Sequence, residues 1–145
     1  MLNLSIFAER LRELMIDNNV DTDALIKITN VNRTSVNRYL AGRCFPSVEC
    51  LVKIADAFKC TLDFLLGREE NNYYTKSKEC PPFKNQLKFL LDHFQKTKYQ
   101  LHKEGHITES AIYYWQNGTH IPRIGDIEKL ARYFDCTLDY VVGRE

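Results

Sequence analysis

The chain of 145 residues has no run of about 18 or more apolar residues, so nothing in it reads as a membrane-spanning helix. Its opening, MLNLSIFAERLRELM, is interrupted by charges and lacks the apolar segment of a secretory signal. Cysteine pairs are missing too. The five cysteines make an odd number and none stands in a Cys-x-x-Cys pair, which argues against a disulfide framework and a zinc knuckle alike. Reduced thiols in a cytoplasm are the expectation. An excess of one charge is also lacking: 20 Lys and Arg against 19 Asp and Glu leave a net +1, so attraction to phosphate must come from a local patch. No Gly-rich phosphate loop, nucleophile elbow or paired carboxylates occur, so an enzymatic reading finds no residues to rest on and no cofactor is expected. His102 and His106 have the i, i+4 spacing of helical zinc ligands, but Lys103 stands where a metalloprotease motif needs Glu, and no metal site is expected.

What the chain does have is a repeat. CTLDFLLGRE at 60–69 returns as CTLDYVVGRE at 136–145, an offset of 76. The same offset pairs Phe7 with Phe83, Leu11 with Leu87, Leu25 with Leu101, Gly42 with Gly118, Pro46 with Pro122 and Phe58 with Phe134, without a gap. The reading is two units of about 60 residues, each near the lower size limit for a self-sufficient core. Residues 1–69 form the first, 83–145 the second. Polar residues 70–82, ending in Pro81 and Pro82, read as a linker.

Within the first copy Phe7, Leu11 and Leu14 share one face of a helix from about Ser5 to Asn18. Asp21 and Thr22 suit the start of a second helix that ends at Thr29, and Asn30 suits a left-handed turn. Asn32 caps a third helix, RTSVNRYLA, stopped by Gly42; Ser47 caps a fourth with Val48, Leu51, Ile54, Ala55 and Phe58 inward; Thr61 caps a short fifth closed by Gly67. No strand-like alternation appears, so the fold class is all-α: two tandem modules of five short helices.

The segment DALIKITNVNRTSVNRYLAGRCFPSVECLVKIADAFKCTLDFLLG, residues 23–67, resembles the Cro/lambda-repressor-like (XRE-like) helix-turn-helix family, and the second copy follows the same plan. Together the two copies cover nearly the whole chain apart from the linker. The resemblance implies a sequence-specific transcriptional regulator that binds double-stranded DNA, with the third helix in the major groove. There are departures. Family members usually carry Ala early in the second helix and Gly in the turn. Here those positions are Ile26 and Asn30, and in copy two His102 and His106, with Gly105 one place early, which predicts a differently built turn there.

At about 100° per residue Val36, Tyr39 and Leu40 fall on the inner side of the third helix, and Thr34, Asn37, Arg38 and Ala41 on the outer, with Arg33 at its start. Arg can bond bidentately to guanine and Asn to adenine in a groove about 12 Å wide. Arg33, Thr34, Asn37 and Arg38 are therefore the expected base contacts, and the resemblance gives Thr22 and Arg43 phosphate contacts. Tyr39 is expected in the core.

Copy two carries Glu109, Ser110, Tyr113, Tyr114 and Asn117 on the matching face, with both cations gone. Two readings stand side by side. The face is a second DNA reader with hydroxyls to phosphate or thymine, aided by Lys96, Lys98 and Lys103, or it is a protein contact serving homodimerisation or a partner such as a toxin.

Overall fold

The caps expected from the sequence hold the helix starts in the computed structural model, which describes residues 2–145. The first unit extends to Thr75 and contains α1 (Leu4–Asp17), α2 (Thr22–Thr29), α3 (Arg33–Leu40), α4 (Val48–Phe58) and α5 (Leu62–Leu65). The side chains of Asp21, Asn32, Ser47 and Thr61 accept the N–H of Ala24, Ser35, Cys50 and Phe64, each satisfying one otherwise orphaned donor. Asn3 does the same for α1, accepting from Ser5 and Ile6 at 2.9 and 3.2 Å. The buried stripe of α1 is Phe7, Ala8, Leu11 and Met15, so Leu14 lies at its half-buried edge instead of in the core.

The second unit, from Lys76, contains α6 (Phe83–His93), α7 (Lys98–Gly105), α8 (Glu109–Asn117), α9 (Ile124–Phe134) and α10 (Leu138–Val142). The described residues are helical or irregular, with no strand among them. Its core uses the same positions: Leu25, Val36, Leu51, Ile54 and Ala55 of the first unit are matched by buried Leu101, Ile112, Ile127, Leu130 and Ala131.

The repeat extends to backbone conformation. Every non-glycine left-handed residue among those described has its counterpart at the same offset: Asn19 with Gln95, Asn30 with His106, Lys59 with Asp135. Sequence position and packing demand these conformations even where Lys or His must adopt them against its preference. The turn after α7 is therefore built like the one after α2, with His106 at φ 55° against 57° for Asn30, contrary to the expectation from Gly105. Gly105 lies inside the helix, where an added Cβ would come within 3.2 Å of Leu101 Cδ1 and 3.5 Å of the Tyr133 ring. It admits a close approach and does not form the turn. Burial first, and the hydrogen bond it donates to Glu104 second, push the Tyr133 hydroxyl up to about 12.

The closing motif explains its own repetition. Gly67 and Gly143 are left-handed, and a Cβ there would meet Ile6 Cγ2 at 2.8 Å or Pro81 Cδ at 2.6 Å. Asp63 pairs with Arg68 and Asp139 with Arg144. One tie is kept with different chemistry. Arg10 donates to the carbonyl of Phe64, and its counterpart Gln86 donates to the carbonyl of Tyr140, the counterpart of Phe64, at 2.8 Å. The polar stretch between the repeats attaches to both units: Asn72 donates to the Lys59 carbonyl at 3.1 Å, and the Lys78 N–H donates to the Arg144 carbonyl at 2.9 Å.

Burial raises the Cys50 thiol to about 11, with Lys53 opposing and Glu49 reinforcing the shift. An ordinary unfolded thiol ionises at about 8.5. The raised value stabilises the fold fully below that pH, and the contribution is lost as pH rises toward 11. In alkylation mapped by mass spectrometry at neutral pH, half-buried Cys44, Cys80 and Cys136 are expected to label well before buried Cys50 and Cys60.

Candidate nucleic-acid interface

Packing of α3 against its own unit decides which side chains face out. Val36 and Tyr39 are buried, and the Tyr39 ring contributes to the core as expected. Burial, ahead of the nearby Cys50 and Cys44 thiols, raises its hydroxyl pKa. Arg12 Nη1 donates to the Leu40 carbonyl at 2.6 Å, placing a cation at the negative end of α3. The opposite face is left to solvent: Arg33, Thr34, Asn37 and Arg38 are all exposed, and so is Arg43 beyond Gly42. The Arg43 N–H donates to the Arg38 carbonyl at 3.0 Å, so the loop leaves the helix through a closed turn. Thr22 opens α2 and is half-buried.

The cations on this face are not equivalent. Arg33 is paired with Asp23 from the first turn of α2, a pair in which both side chains are well exposed. Arg38 and Arg43 have no ion pair among the described residues. The Arg33–Asp23 pair crosses two helices, so the helical periodicity of either one alone does not reveal it.

On the matching face of α8, Glu109, Ser110, Tyr113, Tyr114 and Asn117 are exposed. The rings of Tyr113 and Tyr114 meet edge to face at 5.5 Å, and Tyr114 meets His120 likewise at 4.7 Å. His102 Nδ1 lies 2.7 Å from the Ile107 carbonyl, which can only accept, so that nitrogen carries the proton; Nε2 lies 3.7 Å from Glu109. His102 thus ties the turn to α8, while His106 forms the turn itself.

Lys96 and Lys98, expected from the sequence to aid DNA contact, are joined by two lysines that the sequence did not single out. Lys84 and Lys88 on α6, with Lys96 just before α7 and Lys98 at its start, line one cleft of about 470 Å3. Their counterparts in copy one are Ala8, Arg12, Val20 and Thr22. The signal was present in the repeat: copy two loses both cations of the third helix and places Lys84, Lys96 and Lys98 where copy one has Ala8, Val20 and Thr22, while Lys88 keeps the charge of Arg12.

Two units of five helices, each with a capped helix, a left-handed turn and a second helix whose outer face is polar, define a tandem helix-turn-helix protein. The chain belongs to the Cro/C1-type helix-turn-helix family. Residues 10–71 match the model of the Cro/C1-type HTH DNA-binding domain, and residues 87–141 match a second helix-turn-helix model. It is 34% identical over 68 residues to an uncharacterized HTH-type transcriptional regulator, RP766, of Rickettsia prowazekii (strain Madrid E), a match covering 44% of this chain and 74% of that protein. It is 33% identical over 64 residues to the HTH-type transcriptional activator BcrR of Enterococcus faecalis, covering 44% of this chain but only 31% of BcrR. No solved structure matches the chain significantly. No helix among the described residues is long and apolar enough to cross a membrane.

Proposed function

We propose that the protein is a sequence-specific transcriptional regulator whose first module reads double-stranded DNA with α3 in the major groove. The observation that carries this reading is the α3 face itself. Asn37 and Arg38 project to solvent from a helix anchored by buried Val36 and Tyr39, with Thr34 beside them and no ion pair holding Arg38 back. Arg33 enters the groove by exchanging Asp23 for a base or phosphate, and Thr22 and Arg43 flank the helix at the DNA backbone. Family membership and the names of the two relatives support the same class of function.

Arg38→Ala is expected to weaken binding to the selected site by about 1 to 3 kcal/mol and to relax specificity at one base position. Selection of bound genomic fragments followed by titration at fixed salt measures this. Unchanged affinity after loss of both Arg33 and Arg38 would remove α3 as the reader.

The second module contributes either a second reading surface or a protein contact. Exposure of Tyr113 and Tyr114, whose rings meet edge to face outside the core, favours a dimer contact. In that case Tyr113→Ala shifts the chain from dimer to monomer in sedimentation velocity; a monomeric wild type rules the contact out.

A further inference from the structure

The second unit has two clefts that share a wall. One, of about 380 Å3, lies between α7 and α8 and is lined mainly by Tyr99, Ile112 and Tyr113, with His102 and Glu109 at its polar side. The other is the lysine cleft along α6 and the start of α7. Lys98 and Gln116 line both. One end is aromatic and the other cationic, with a hydrogen-bonding amide and a cation where they join.

The aromatic groups are available. Tyr99 and Tyr113 are 65% and 63% exposed, beyond what packing requires, and Lys103 Nζ sits 5.9 Å from the Tyr99 ring centre. At the cationic end Lys84, Lys88 and Lys98 have no ion pair among the described residues; Lys96 is held by Glu104 at 3.5 Å, and Asp92 is the one carboxylate in the lining. A flat π-face beside a track of cations is the chemistry that holds an unstacked base and its phosphate. Stacked bases of an intact duplex cannot enter the aromatic end. Glu109 at that end repels phosphate and can accept a bond from an exocyclic amine of a base, which orients the ligand with phosphate toward the lysines.

We propose that this groove seats one nucleotide unit of a single-stranded nucleic acid, with the base against Tyr99 and Tyr113 and the phosphates on Lys84, Lys88 and Lys98. A free nucleotide shares that chemistry. The site is independent of α3 reading duplex DNA.

The test uses the full chain and fluorescence anisotropy with three labelled probes of equal length: a mixed-sequence single-stranded DNA 12-mer, its duplex, and an abasic 12-mer. All are run on the Arg38→Ala variant, so that failure of the α3 reading leaves this measurement intact. The single strand is expected to bind tighter than the abasic strand and the random duplex by about tenfold, the scale of one stacked base. Tyr99→Ala and Tyr113→Ala should each remove that preference, and Lys88→Ala with Lys98→Ala should weaken all three probes and flatten the salt dependence. Circular dichroism melting of each variant confirms the fold. Competition by dGMP at micromolar concentration would identify a free nucleotide as the source, and resistance to it a strand. Equal affinity for the abasic strand, preference for duplex, or indifference to both Tyr substitutions would overturn the proposal.

Discussion

Trp115→Ala is expected to unfold the second unit while leaving the first folded. The indole is buried beneath α8 and meets Phe83 of α6 edge to face at 5.9 Å. Truncating a buried Trp to Ala costs about 3 to 5 kcal/mol in lost transfer energy and residual cavity. A unit of about 70 residues commands a total stability of only roughly 4 to 10 kcal/mol. The substitution therefore removes a large fraction of what holds α6 and α8 together. Circular dichroism in urea should show the helical signal lost in two steps, the first moved to much lower denaturant. Trp115→Phe, which keeps a ring against Phe83, should retain most of the stability. Superimposable wild-type and Trp115→Ala curves would mean that the ring contributes little to the core.

The second large effect is expected at the chain's penultimate residue. Arg144 and Asp139 form an ion pair with side chains only 2% and 4% exposed, while the equivalent Arg68 and Asp63 are 23% and 12% exposed. Removing one partner of a buried pair leaves a charge without compensation and costs about 3 to 5 kcal/mol. Water can replace part of the lost interaction in the first unit, so Arg68→Ala should cost less, nearer the roughly 1.5 to 3 kcal/mol of a charge-assisted hydrogen bond. Replacing both members, Asp139→Leu with Arg144→Met, should destabilise less than Arg144→Ala alone, because no unpaired charge remains. Equal losses for Arg144→Ala and Arg68→Ala in paired urea titrations would remove burial as the deciding factor.

Much of the scaffold was legible because short-range chemistry decides it. The caps Asp21, Asn32, Ser47 and Thr61 each satisfy a donor within three residues, and the apolar positions of α4 follow one helical period. Where the outcome depends on residues distant in sequence, less is legible. Gly105 stands next to the turn position in sequence, but its lack of a Cβ serves the Tyr133 ring from α9, and His106 makes the turn. Arg33 looked like a free cation until α2 brought Asp23 across. On α3 the outward residues followed from Val36 and Tyr39 being inward, whereas the cleft of the second unit needed α6, α7 and α8 together. Surface chemistry assembled from three helices leaves no periodic trace in any one of them.

The left-handed residues at 30 and 106, and the left-handed glycines at 42 and 118, bracket α3 and α8 at identical chain positions. Each outward-facing helix thus occupies a socket of fixed length with the same entrance and exit, and the inward residues that plug it, Val36 with Tyr39 and Ile112 with Trp115, lie at the same steps. The two helices are interchangeable cassettes. Copying the outward residues of one helix into the other therefore changes the surface a module presents without asking its backbone to move.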